Sequence, residues 1–252
     1  MINLIAKDWI IENVETVLFD KDGTFIDLHY FWGKMTELRA KEVIRHFGLS
    51  EGVFDRICEH LGYDVSSGKM LSDGITALYS RSKIIEIFRS KLFEYDIAPT
   101  VLELESIFDK VSVEFYENMQ EYTKPIEEAI EFIKALKSQG VKLGIVTSDS
   151  VESARLTIEH FKWEDLFDVV IGRESSPFTK ESGEPTKLAL DMLGANPNTT
   201  IMVGDAPMDY ISAKNAGIEK TILVATGQIE KQELMQTGSY VLCSLSDLKI
   251  SY

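Results

Sequence analysis

The chain has 252 residues, 44% hydrophobic and 27% charged, with a formal net charge of -15: long enough to bury a core in one or two domains and globular in composition. The acidic balance argues against a nucleic-acid binder, which carries a basic face, and it means that an anionic substrate needs a local cation, either a metal or a placed Lys or Arg. With no run of ~20 apolar residues for a membrane span, no secretion signal, and Cys58 and Cys243 far apart without metal-ligand spacing, a reducing cytoplasm is the expected location, with no membrane partner.

Residues 15–20 read as a short buried strand with β-branched and aromatic content. Helical segments with few breakers follow to about residue 121. Met35, Leu38, Val43, Ile44 and Phe47 recur at helical spacing before Gly48. Ile84, Ile85, Ile87, Phe88 and Leu92 do the same, then Leu102, Leu104, Ile107, Phe108, Val111 and Phe115, with Pro99 between the runs. No strand is expected there, so the region reads as an all-helical insertion of roughly 95 residues, the size of a small domain.

Beyond Pro125 the pattern changes again. A helix over 126–138 precedes a strand over 141–147. A helix over 151–161 precedes a strand over 169–172. After a polar, turn-rich stretch, a helix over 186–193 leads to a strand over 200–203, and a helix over 208–216 leads to one over 220–224, with a last strand at 240–242. Strands alternating with helices of this length imply parallel βαβ units. The expected fold is α/β, a doubly wound, mostly parallel sheet with a Rossmann-like core. Residues 1–27 and 122–252 form that core and 28–121 an inserted helical cap, placed beside the crevice as a lid.

Polar residues collect at the strand ends. The first strand closes in Asp20-Lys21-Asp22-Gly23-Thr24, the second in Thr147-Ser148, and the fourth in Gly204-Asp205, with Asp209 just beyond; Lys180 lies in the loop after the third. Each has an ordinary explanation: Thr147 or Ser148 as a helix cap, Lys180 as a solvated lysine, Asp205 in an Asx turn and Asp209 as a helix N-terminal charge. Those explanations do not account for their common address, because ligands of open α/β sheets bind outside the carboxyl ends of the strands. In a strand residues i and i+2 face one way, so Asp20 and Asp22 address one site and Lys21 points to the opposite face. Clustered carboxylates repel unless a cation joins them, and oxygen ligands select a hard ion such as Mg²⁺. A carboxylate nucleophile can accept a phosphoryl group, and a second acid is then needed to protonate the leaving oxygen and activate water.

These residues resemble the four motifs of the haloacid dehalogenase-like hydrolases, and the chain is most similar in layout to the phosphoglycolate phosphatase-like subgroup. The resemblance implies Asp20 as nucleophile and Asp22 as general acid/base with its carboxyl kept for the proton. It implies Thr147, with Ser148, binding the phosphate, and Lys180 offsetting charge on Asp20. Mg²⁺ would be held by Asp20, the backbone carbonyl of Asp22, and Asp205, with Asp209 supporting from behind. The family lysine is usually followed by prolines, whereas here Lys180 precedes Glu181-Ser182-Gly183-Glu184-Pro185; Lys187, inside a helix, is the rival. The expected activity is a Mg²⁺-dependent phosphatase acting on a small phosphorylated metabolite.

Alternatives stay open at this stage. A sugar phosphomutase uses the same aspartates, and Asp27, His29 and Trp32 distantly resemble that class. A phospho-accepting signalling module gathers similar residues in about half this length. Phe31, Trp32, Tyr63, Tyr79 and Tyr95 are candidates for a substrate-facing wall, although aromatic residues in helices are more often core. Oligomeric state is not readable from the sequence.

Overall fold

The computed structural model describes residues 1–251. Strands β1 (Ile2–Ile5), β2 (Ile10–Val14) and β3 (Thr16–Phe19) come first. The chain then departs through α1 (Leu28–Phe47), α2 (Phe54–His60), the short strands β4 (Tyr63–Asp64) and β5 (Lys69–Met70), and helices α3 (Ile75–Leu78), α4 (Arg81–Lys91), α5 (Val101–Glu117) and α6 (Met119–Tyr122). It returns in strict alternation through α7 (Glu127–Ser138), β6 (Lys142–Val146), α8 (Val151–Phe161), β7 (Val169–Ile171), α9 (Glu184–Leu193), β8 (Thr200–Gly204), α10 (Pro207–Asn215) and β9 (Lys220–Val224). Helix α11 (Lys231–Leu234) and strands β10 (Tyr240–Leu242) and β11 (Lys249–Ser251) close it.

Two units result, one of Met1–Asp27 together with the chain from Pro125 onward, the other of Leu28–Lys124. In the first, six strands lie in the order β10-β9-β8-β3-β6-β7, and every neighbouring pair is parallel. A sheet of this kind needs cover on both faces, which is why Val17, Leu18 and Phe19 in β3 and all of β8 are buried. On one face Leu18, Val146 and Met202 pack against Ala189 and Leu190 of α9 and Ala213 of α10. The register sets the ends level: Phe19 lies opposite both Ile145 and Val203. The residues just past β3, β6 and β8 therefore emerge side by side.

Where the chain departs and returns, it is tied to itself. Ile26 pairs with Pro125 in an antiparallel bridge, and the Ile126 N–H donates to the Phe25 carbonyl at 2.9 Å. Phe25 also stacks on Phe167 with ring centroids 5.4 Å apart.

The second unit is helical, with an apolar core of Val43, Ile44, Ile57, Leu61, Ile85, Phe88, Leu104 and Phe108. Helix α5 starts on a capping box, Thr100 and Glu103 each bonding the other's backbone N–H. The unit is not wholly helical, however: β4 and β5 form a two-stranded antiparallel hairpin. Strands two residues long leave no alternating pattern to read. Phe31 and Tyr63 are buried in the packing of this unit, Tyr79 is exposed, and His29 Nδ1 accepts the Met70 N–H at 3.1 Å, so it pins α1 to the hairpin.

The antiparallel sheet β11-β1-β2 was also not expected from the sequence. Its strands are short, and β2 carries Asn13 at a positive φ of 61°, which breaks the alternation. No helix among the described residues is long and apolar enough to cross a membrane. Cys58 and Cys243 are both free thiols.

Candidate active site

Strand β3 ends at Phe19, and the Asp20 N–H still donates to the Val203 carbonyl at 2.8 Å. The chain then turns tightly. The Lys21 carbonyl receives the N–H groups of Thr24, Phe25 and Ile26 at 3.3, 3.1 and 3.1 Å, and the Gly23 N–H donates to the Ile26 carbonyl at 2.8 Å. Gly23 stands at φ 85° with the Asp205 carboxylate directly against its Cα, so a side chain there is excluded by backbone and space together. Gly227, on the loop after β9, is pressed against the same carboxylate, and the neighbouring Thr226 hydroxyl donates to the Gly23 carbonyl at 2.5 Å. Neither Thr226 nor Gly227 stood out in the sequence; a Thr-Gly after an apolar strand is an unremarkable turn signal.

Asp20, Asp205 and Asp209 come together, all buried, each offering one oxygen within 4.8 Å of the others. Lys180 is buried among them, its Nζ 2.5 Å from Asp20 Oδ1 and 2.6 Å from Asp209 Oδ1. Lys187, by contrast, is exposed on α9 and pairs with Glu184 one turn away at 2.8 Å. The segment around Lys180 is a short 3-10 turn ended by Gly183 at φ 81°. Asp209 also shapes the backbone: its Oδ2 accepts the N–H groups of Asp205 and Ala206, both at 3.1 Å, which fixes the loop at the start of α10.

The electrostatics follow from burial. Asp20 is pushed up to about 7, chiefly by loss of solvent, with Lys180 opposing the shift and Asp209 and Asp22 adding to it. Asp205 is driven well above the ordinary carboxylate range, first by burial and then by Asp20 and Asp209. Burial alone would lower Lys180, but Asp20 and Asp209 more than offset it and hold the ammonium charged. One ammonium facing three carboxylates leaves the cluster short of positive charge. An all-oxygen donor set with that deficit suits a hard divalent cation.

Thr147 follows β6 directly and is buried; its N–H donates to the Ile171 carbonyl at 2.9 Å and its Oγ1 accepts the Asp149 N–H at 3.1 Å. With the oxygen accepting there, the hydroxyl proton is available to donate. Ser148 is exposed, with its hydroxyl 3.6 Å from Met208 Sδ.

One expectation from the sequence is overturned. Lys21 does not point away from the acids: its side chain is fully buried, with Nζ 2.6 Å from Asp22 Oδ1 and 3.2 Å from Asp149 Oδ2. The i, i+2 rule holds only within a strand, and β3 stops at Phe19, so the turn is free to bring Lys21 and Asp22 together. The Asp22 carboxyl is therefore held by a cation rather than left unengaged. Asp149, missed in the sequence, lies two residues past Thr147 and is kept below the usual carboxylate range despite burial by Lys21, Ser153 and the Ser150 N–H.

The profile of the haloacid dehalogenase-like hydrolases matches residues 14–217. Over 237 residues the chain is 27% identical to the phosphoglycolate phosphatase of Aquifex aeolicus (strain VF5), covering 93% of this chain and 95% of that one. It is 34% identical over 125 residues to the pyrophosphatase PpaX of Halalkalibacterium halodurans, covering 50% of this chain and 58% of the other. Among solved structures, a protein described as a predicted phosphoglycolate phosphatase from Haemophilus somnus 129pt superposes with a TM-score of 0.72 at 17% identity, covering 94% of this chain and 97% of that one. A haloacid dehalogenase-like family protein from Streptococcus pneumoniae gives 0.61 at 18% identity, covering 93% and 96%. These two share the fold. The chain belongs to the haloacid dehalogenase-like hydrolases and is an enzyme of the phosphatase type.

Proposed function

We propose that this protein is a Mg²⁺-dependent phosphatase that hydrolyses a small phosphorylated metabolite through an aspartyl-phosphate on Asp20. The observation that carries the proposal is the Asp20 carboxylate at the sheet edge, held at 2.5 Å by a buried lysine and flanked by two more buried acids. One Asp20 oxygen attacks phosphorus; the bond to the leaving oxygen breaks, and Asp22 gives that oxygen its proton. Water then attacks the phosphorus of the aspartyl-phosphate, Asp22 takes its proton, and inorganic phosphate leaves with the Asp20 carboxylate restored. Thr147, through its hydroxyl, and Ser148 bind the phosphoryl oxygens, and Lys180 offsets the charge that builds on them. Mg²⁺ fits the donor set of Asp20, Asp205 and the Asp22 backbone carbonyl, with Asp209 bracing the loop, and supplies charge neutralisation when bound.

The test is a panel of phosphorylated metabolites, assayed with Mg²⁺ and after chelation. The names of the similar proteins put phosphoglycolate and pyrophosphate at its head. Release of inorganic phosphate that stops on chelation and in Asp20→Asn is expected. Metal-independent turnover, or a product that keeps its phosphate on another carbon, overturns the reading.

A further inference from the structure

We infer that Lys21 is a positioning residue for the reaction, a clamp that holds the Asp22 carboxylate in line with the substrate and anchors it to the loop after β6. The inference rests on the phosphatase reading above and goes beyond it, since neither nucleophile, cation site nor phosphate contacts require this side chain. Its geometry is specific. The side chain is fully buried one residue from Asp20, yet its Nζ serves the other pair of acids, at 2.6 Å from Asp22 and 3.2 Å from Asp149. Asp149 is itself immobilised: its Oδ1 accepts the Ser150 N–H at 2.7 Å, its N–H donates to Thr147 Oγ1 at 3.1 Å, and its carbonyl accepts the Arg173 N–H at 2.8 Å. A continuous line of polar contacts thus runs from Asp22 through Lys21 and Asp149 to Thr147.

The two buried lysines divide the acids between them. Lys180 takes Asp20 and Asp209, and Lys21 takes Asp22 and Asp149. Without Lys21, Asp22 loses its bond to this ammonium and faces the repulsion of its acidic neighbours, while proton transfer demands that it stay within hydrogen-bond reach of the leaving oxygen. The same bonds give the acid and the phosphate-binding Thr147 a common frame.

The experiment compares two probes of similar shape, p-nitrophenyl phosphate, whose leaving group departs without a proton, and benzyl phosphate, whose leaving group needs one. Lys21→Met alone strands two half-buried carboxylates, so the neutral double variant Lys21→Met/Asp149→Asn is used beside it, and Asp149→Asn alone tests the anchor with Lys21 kept. The expected result is a benzyl-to-nitrophenyl ratio of kcat/KM that falls about 10- to 100-fold in the double variant, less than the roughly 10²- to 10⁴-fold that a general acid supplies, because the acid is displaced and not removed. A smaller fall is expected in Asp149→Asn, and Lys21→Arg recovers part of the ratio. Equal losses on both probes make Lys21 merely structural and overturn the inference while leaving the phosphatase reading intact. Wild-type protein inactive on both probes and on the metabolite panel overturns that reading instead.

Discussion

In the unit built on the six-stranded sheet, Asp20, Lys21, Lys180, Asp205 and Asp209 are all buried, with Lys180 paired to Asp20 and Asp209 and Lys21 to Asp22 and Asp149. In the helical unit the pairs Arg56–Glu59, Arg81–Asp109 and Lys83–Glu86 lie at the surface, and the interior is aliphatic and aromatic. Burying charge costs more than a well-packed apolar residue would. The first unit accepts that cost at one sheet edge, where the cluster can do chemistry, whereas the second keeps to ordinary packing. Its clearest departure is Arg39, buried over the Phe108 ring at 4.4 Å, with its Nε lacking a hydrogen-bond partner among the described residues.

Asp20→Asn is expected to give the widest gap between function and stability. Its kcat falls on the order of 10⁴-fold or more, as for loss of a nucleophile elsewhere, while the thermal midpoint of the metal-free protein stays level or rises, because one crowded carboxylate is gone. A variant that loses both stability and activity would place Asp20 among structural residues. Lys180→Met comes next, with roughly 10²- to 10³-fold lost in kcat. Denaturant titration of the metal-free form should show a loss of about 3–5 kcal/mol, because the remaining acids are left without their cation. Lys187→Met, on the solvated face of α9, should stay within about 0.5 kcal/mol and near wild-type activity.

A third expectation concerns pH. Carboxylates whose pKa is raised on folding bind more protons in the native state. Their contribution is therefore intact at low pH and declines as pH climbs from the ordinary carboxylate range toward the value of about 7 reached by Asp20. A divalent cation binds the ionised form and restores what was lost. Mg²⁺ should raise the thermal midpoint by several degrees at about pH 8 and hardly at all near pH 5.5, and chelation should reverse the gain; equal shifts at both would remove Asp20 and Asp205 from the cation site. The smallest effect is expected at Arg39. Arg39→Met should change stability by no more than about 1 kcal/mol and leave kcat alone. Lost activity in a stable Arg39→Met variant would mean that the helical unit also hides a working charge, and the contrast between the units would fail.

Much of this was legible because parallel strands buried on both faces write plain apolar runs, and because their carboxyl ends collect the polar residues. The six parallel strands, and the gathering of Asp20, Asp205 and Lys180 at one edge, followed from those two facts. What escaped notice depended on geometry that period-2 reasoning does not carry. Lys21 was sent to the wrong side by an alternation that had already ended at Phe19. Asp149 and Gly227 lacked any mark of their own; one became significant through Lys21 and the other through its contact with Asp205. The β4–β5 hairpin is made of two-residue strands, and β1, β2 and β11, though as long as the parallel strands, lack their continuous buried apolar runs: β2 carries Glu12 and Asn13 and β11 begins at Lys249.

The bridge between Ile26 and Pro125 bears on how such a protein can change over generations. The stretch from Leu28 to Lys124 begins and ends at one stapled point, so to the sheet it is a single loop, and closing a loop grows only slowly more costly with its length. A recombination event that replaces this contiguous segment of the gene, by a longer or shorter one, leaves every strand register of the catalytic unit as it was. The segment can be exchanged as a cassette while the aspartates and lysines at the sheet edge pass on untouched.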